Sequence, residues 1–214
     1  MNHHPARPWL VILAVIAVIG VNMAAVLLPL NGLSTKELAD RYDVLFVPAG
    51  YVFSIWSFIY LGLLAFAAYQ ALPARRRDPV LAGITAPFLG SCAANAAWIF
   101  LWHYEQVVAS LAAMLALLAA LIAVYRRLGI GRREVAAGER WAVHAVFSGY
   151  LGWVSVATIV NVAVVLHAVG WSGWGLSDVA WTALLLAVGV ALAATVAARR
   201  APGSPVPLPE PGDV

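Results

Sequence analysis

The chain has 214 residues, of which 63% are hydrophobic and 11% charged, with a formal net charge of +3. A water-soluble domain carries roughly 25% charge and 45–50% apolar residues, so a soluble globular fold, a disordered chain and a disulfide-stapled secreted domain are excluded. All ten acids and every Lys and Arg lie outside six long apolar runs, the pattern of an all-α integral membrane protein.

The runs cover residues 9–30, 49–72, 80–102, 107–125, 141–169 and 179–198, and about 20 apolar residues in a helix suffice to cross a bilayer. The first follows Arg7 and is too long for a signal-peptide core of roughly 7–15 residues, so it reads as a retained helix. The loop after it contains Ser34 and, three residues on, Glu37, a capping-box spacing. Leu38 and Tyr42 then share one side of a short amphipathic helix, placed as a lid over the end of the bundle.

The second span carries Phe53, Trp56 and Tyr60 at positions 0, 3 and 7, within a helical sector of about 60°. The third repeats that spacing with Asn95, Trp98 and Trp102, and its Cys92, the chain's one cysteine, reads as a packing residue. In the fourth, Ala112, Ala116 and Ala120 form a small-residue stripe, which fits either internal packing or a dimer seam. The fifth aligns Tyr150, Trp153, Ala157 and Asn161 on one stripe. The sixth leads into a tail, 201–214, whose five prolines predict disorder.

Six spans place both termini and two loops on one side, which holds eleven arginines against Lys36 and Arg41 opposite. Basic loops stay cytoplasmic, so both termini are expected inside. The basic balance therefore marks topology and implies no nucleic-acid partner. Counted along the helices at about 1.5 Å per residue, Trp56, Asn95 and Asn161 fall at similar depth in the outer half. An amide facing lipid is costly, so both asparagines point inward, either as interhelical glue or as polar anchors of a flat, largely apolar cavity. Trp9, Trp141, Trp171, Trp174 and Trp181 occupy interface-belt positions.

Catalytic chemistry is absent: the spans hold no Asp, Glu, Lys or Arg, the residues expected of an intramembrane active site. His144 and His167 stand too far apart on the fifth span to share a metal, and His103 with Glu105 reads as a solvated pair at the outer rim.

The segment Tyr150-Leu-Gly-Trp153-Val-Ser-Val-Ala157-Thr-Ile-Val-Asn161 resembles the fifth-helix motif of the TspO/MBR family, the tryptophan-rich sensory proteins. Asn95-Ala-Ala-Trp98 resembles its third-helix Asn-x-x-Trp, and Pro48 with Phe53 through Tyr60 its second-helix entry, so the likeness runs over about residues 48–165. The resemblance implies a TspO-like five-helix transmembrane bundle, usually a homodimer, with a pocket beneath the loop joining helices one and two. That pocket binds porphyrins, and in some members sterols or synthetic aromatic ligands. Carried over by position, its lining is Phe53, Trp56, Asn95, Trp98, Trp153, Ala157 and Asn161, to which the aromatic spacing adds Tyr60.

The departures are Gly149 where the family has proline, a second-helix Phe-to-Trp spacing one residue shorter, no Tyr-basic pair after Asn161, and an extra C-terminal sixth helix without family counterpart. The expected function is a membrane-embedded binding or sensory protein for a porphyrin-like, haem-like tetrapyrrole, with no metal or covalent cofactor, in a bacterial cytoplasmic membrane. The alternatives are a transporter or channel for a hydrophobic or neutral solute, and a light- and oxygen-dependent porphyrin-degrading enzyme.

Overall fold

A backbone in hydrocarbon must satisfy its own N–H and C=O groups, which confines long apolar runs to helices. The computed structural model describes residues 6–28, 30–33, 35–41, 54–177, 179–181, 183–184 and 187, and no strand occurs among them. Its first unit, residues 1–171, contains α1 (Arg7–Leu27), α2 (Thr35–Asp40), α3 (Ile55–Ala71), α4 (Pro79–His103), α5 (Val107–Leu128) and α6 (Ala137–Ala168). Four of these, α1, α4, α5 and α6, are long and apolar enough to cross a membrane, and α3 is a shorter apolar helix. The protein is an all-α integral membrane bundle.

The five long helices close a ring: α3 packs on α1, α1 on α4, α4 on α5, α5 on α6, and α6 back on α3. Between α3 and α6 the approach is close, since a Cβ on Gly62 would stand 3.0 Å from Val146. The core runs the length of the ring. At one level Phe66, Phe88 and Phe147 from three helices meet edge to face with centroids 4.9–5.8 Å apart, a favourable aromatic geometry.

Helix ends follow local chemistry. Asp78 caps α4 by accepting from the amides of Val80 (2.9 Å) and Leu81 (3.3 Å), with Pro79 at the first position, where its missing N–H costs nothing. Gly129 ends α5 in the left-handed conformation at φ 63°, which glycine adopts without a Cβ clash. Inside α4, Pro87 cannot donate to the carbonyl of Gly83, and Arg127 supplies the missing donor at 2.7 Å.

The loops carrying Arg7, Arg75, Arg133 and Arg140 lie together at one end of the bundle. Arg7 donates to the carbonyls of Arg75 (3.2 Å) and Arg76 (2.8 Å), and Gln70 to that of Pro8 (3.1 Å), riveting the root of α1 to the α3–α4 turn. Glu139 is buried there. It pairs with Arg133 and lies 3.8 Å from both Arg75 and His144.

The fifth predicted span, 141–169, is observed as Ala137–Ala168; this neutralised acid lets the helix start four residues earlier. Residues 140–145 form a π-helical turn, while Gly149 sits in regular α-helix. The irregularity of this helix thus precedes Gly149, the position where the family has proline. Trp9 and Trp141 are exposed at the arginine end, as belt residues are.

The second unit, residues 172–214, is described only in its first part. There a turn at Gly173–Gly175 is closed by Trp181, whose indole donates to the carbonyl of Gly173 at 2.9 Å. Most of the expected sixth span, and the tail 201–214, lie outside the described residues, as do Ser34 and residues 42–53, which take in Tyr42 and the first part of the second span, 49–53.

Phe88→Ala, at a fully buried site, is expected to lose about 3–5 kcal/mol through the cavity it leaves, read as a lowered melting temperature in detergent. Phe58→Ala, at a ring exposed on the outside of α3, should stay within about 0.5 kcal/mol of the parent.

Candidate functional site

The aromatic stripes of α3 and α6 meet inside the ring. Trp56 stacks on Tyr60 (centroids 5.6 Å, planes at 24°) and stands edge-on to Tyr150 (6.3 Å) and Trp153 (6.0 Å). Tyr150 and Trp153 are buried, while Trp56 and Tyr60 are half-buried. The cluster therefore has a closed side on α6 and an accessible side on α3.

Asn95 joins this cluster from α4. It is fully buried, and its Nδ2 donates to the Tyr150 hydroxyl at 3.3 Å. Its Oδ1 accepts from Asn22 of α1 at 2.7 Å, and Asn22 also donates to the carbonyl of Val18 at 2.9 Å. Three helices are thereby stitched by one polar chain. Asn22 was not among the sequence candidates, although an asparagine within an apolar span is itself a signal that a partner waits on another helix.

Trp98 lies one turn beyond Asn95 on the same face and stacks on Trp102 at 5.9 Å. Trp98 is buried, and its indole N–H has no hydrogen-bond partner among the described residues. A buried donor left without an acceptor is uncommon and costs roughly 1–3 kcal/mol; it is a position for a ligand acceptor or a water.

Asn161 belongs to a different pair. It is buried and donates to Ser110 Oγ of α5 at 3.1 Å. Asn161 lies eleven residues beyond Tyr150 on α6, about 16 Å along the axis, so the two amides do not share one level. Counting each from the end of its own helix misses this because α6 is longer than its neighbours. Both asparagines bridge helices, the glue geometry that the sequence had left open beside the pocket. Ala157, half-buried, packs against the core on the same stripe, and Phe53 lies outside the described residues.

Above the cluster, the expected short helix exists as α2, with Leu38 buried beneath it. Its anchor is His103, expected to be solvated but fully buried at the end of α4. The ring bonds the Leu30 carbonyl through Nδ1 (3.1 Å) and Thr35 Oγ1 through Nε2 (2.9 Å). Since a carbonyl only accepts, Nδ1 carries a proton and donates to Leu30. Asn31, in the left-handed conformation at φ 56°, donates to the His103 carbonyl at 3.0 Å. The Trp102 indole donates to the Thr35 carbonyl at 3.3 Å, and Arg41 pairs with Glu105 at 3.1 Å. The loop contributes polar groups that His103 and its neighbour Trp102 satisfy, which is why the histidine goes inside.

Comparison with known families gives a match to the model described as TSPO-like protein over residues 8–203. The matched stretch takes in 179–198, so the segment read as a sixth span lies within the family's shared length and is not an addition peculiar to this chain. No curated protein matches. No solved structure matches either.

His103→Ala should release the strap formed by residues 30–41: amide hydrogen exchange across 35–40 is expected to accelerate about tenfold or more, an opening cost lowered by about 1.4 kcal/mol. Glu105→Gln breaks only the exposed pair with Arg41 and should change exchange less than about threefold.

Proposed function

The chain belongs to the TSPO-like protein family, and on that footing we propose that it is a membrane-embedded binding and sensory protein for a porphyrin-like tetrapyrrole. The observation that carries this reading is the cluster of Trp56, Tyr60, Tyr150 and Trp153, with centroids 5.6–6.3 Å apart, beneath a strap fastened by His103. Flat aromatic faces take a flat conjugated ligand by stacking, and ligand sites combine a mostly apolar lining with few polar groups. Trp98 supplies a buried N–H without an acceptor, positioned one turn from Asn95. Entry is from the α3 side, where the rings are half-buried. Phe53 and Ala157 complete the proposed lining by family position, while Asn161, paired with Ser110, lies beyond its outer edge.

The eleven-to-two division of basic residues supports both termini facing the cytoplasm of a bacterial cell. The exposed Ala112 and Ala116 of α5 offer the close-approach surface that a homodimer would use. A carrier of a hydrophobic or neutral solute is the competing reading, and flux into vesicles tells the two apart: accumulation across the membrane would replace the sensory reading.

Titrating a porphyrin against tryptophan fluorescence in detergent tests the site. Trp153→Ala should weaken binding about tenfold or more, as for a buried aromatic anchor. Trp98→Phe keeps the ring and removes only the donor, so about a three- to tenfold loss is expected. Affinities within twofold of the parent for both Trp153→Ala and Asn95→Ala would overturn the assignment.

A further inference from the structure

The polar chain through the bundle has a direction, and the direction leaves a proton over. Asn22 Nδ2 donates to the carbonyl of Val18 at 2.9 Å. A backbone carbonyl only accepts, so this bond fixes which end of the Asn22 amide is nitrogen. The same nitrogen donates to Asn95 at 2.7 Å, and Asn95 must therefore present its oxygen to α1 and its nitrogen to α6. That nitrogen reaches the Tyr150 hydroxyl at 3.3 Å. An amide nitrogen cannot accept, so Tyr150 takes this bond through an oxygen lone pair and keeps its own hydrogen. Asn22, Asn95 and Tyr150 are all buried, far from competing water, and the Tyr150 ring lies edge-on to the half-buried Trp56.

We propose that the Tyr150 hydroxyl is a hydrogen-bond donor reserved for a ligand acceptor, a carbonyl or an unprotonated ring nitrogen on a flat aromatic body, and that Asn22 is the positioning residue that reserves it. The inference rests on the ligand-binding reading of the Trp56–Trp153 cluster and adds to it a chemical requirement: an acceptor set at the edge of the stacked plane. Without Asn22 nothing holds the Asn95 amide in its present sense. The amide turns over, Tyr150 donates to its oxygen, and the donor is consumed within the protein. Asn22 thus acts on selectivity from α1, through Asn95, with no contact to the ligand.

A matched pair of probes isolates the acceptor: benzophenone and diphenylmethane have the same two rings and differ in one carbonyl. Their affinities for the full-length protein in detergent are measured by tryptophan quenching, corrected for micelle partitioning, and expressed as a ratio. The parent is expected to prefer the ketone about fivefold or more, and the ratio should collapse to within twofold of unity in both Tyr150→Phe and Asn22→Leu. The infrared carbonyl stretch of ¹³C-labelled benzophenone gives an independent readout that needs no Asn22 variant: a downshift on binding to the parent that is missing in Tyr150→Phe.

A parent ratio near one, or a preference that survives Tyr150→Phe, overturns the donor while leaving the aromatic site standing. Collapse in Tyr150→Phe alone, with Asn22→Leu keeping the preference, overturns the positioning role. If neither probe nor a porphyrin quenches tryptophan fluorescence, the aromatic site itself fails and this inference falls with it.

Discussion

Hydrocarbon offers no hydrogen-bond partner, and that one deficit organises this bundle more than any single apolar contact. Lipid tails are as apolar as leucine, so burying leucine among helices gains little over leaving it in the bilayer. What distinguishes inside from outside is polarity. Asn22, Asn95 and Tyr150 join α1, α4 and α6 in one chain, Asn161 and Ser110 join α6 to α5, and Arg127 of α5 completes the Pro87 gap in α4. Each bond removes a polar atom from lipid and fixes one helix against another, so register around the ring is set by a handful of side chains.

The two ends of the ring answer the same demand with different means. At the arginine end, guanidinium groups donate to the free carbonyls at helix C-termini, as Arg76 does to Ala71 and Arg133 to Leu128, and Glu139 is buried among cations. At the other end cations are scarce, and beside the exposed Arg41–Glu105 pair hydrogen bonds close the structure: His103, Thr35 and Asn31 bond one another or nearby carbonyls. A latch of a few hydrogen bonds opens more readily than a network of ion pairs packed into helix ends, and it stands over the aromatic cluster.

Spans and faces were legible in the sequence because both are periodic properties. Twenty apolar residues announce a crossing, and spacings of three and four residues placed Trp56, Asn95, Trp153 and Asn161 on inward faces without reference to anything else in the chain. Partnership was not legible. Nothing in the spacing of Asn161 says that Ser110 stands opposite, and nothing in His103-Tyr-Glu105 says that a loop more than sixty residues earlier folds over it; such pairings depend on relative helix height. Equal depth for Asn95 and Asn161 failed for this reason: Tyr150 is level with Asn95, and α6 runs on to Ala168 while α4 stops at His103, so the outer ends of the two helices are not level and counting back from them misplaces Asn161. Asn22 was overlooked because no aromatic residue stands within two turns of it on its own helix, although an intramembrane amide requires a partner wherever it occurs.

The π-turn at residues 140–145 bears on how the aromatic stripe is aimed. A π-turn accommodates an extra residue within a helical turn, so side chains beyond it are offset from where an uninterrupted α-helix rooted at Glu139 would carry them. Downstream the helix is regular, and Phe147, Tyr150, Val154, Thr158 and Asn161 are all buried at α-helical spacing. The root of α6 is held by Arg133 and Arg75 through Glu139, and its stripe by Asn95 and Ser110. The π-turn lies between these two attachments. Gly149 is left with no kink to make, and nothing lies within 4 Å of the Cβ it lacks. The direction in which Tyr150 and Trp153 face is therefore fixed from below by charge and from above by amide and hydroxyl.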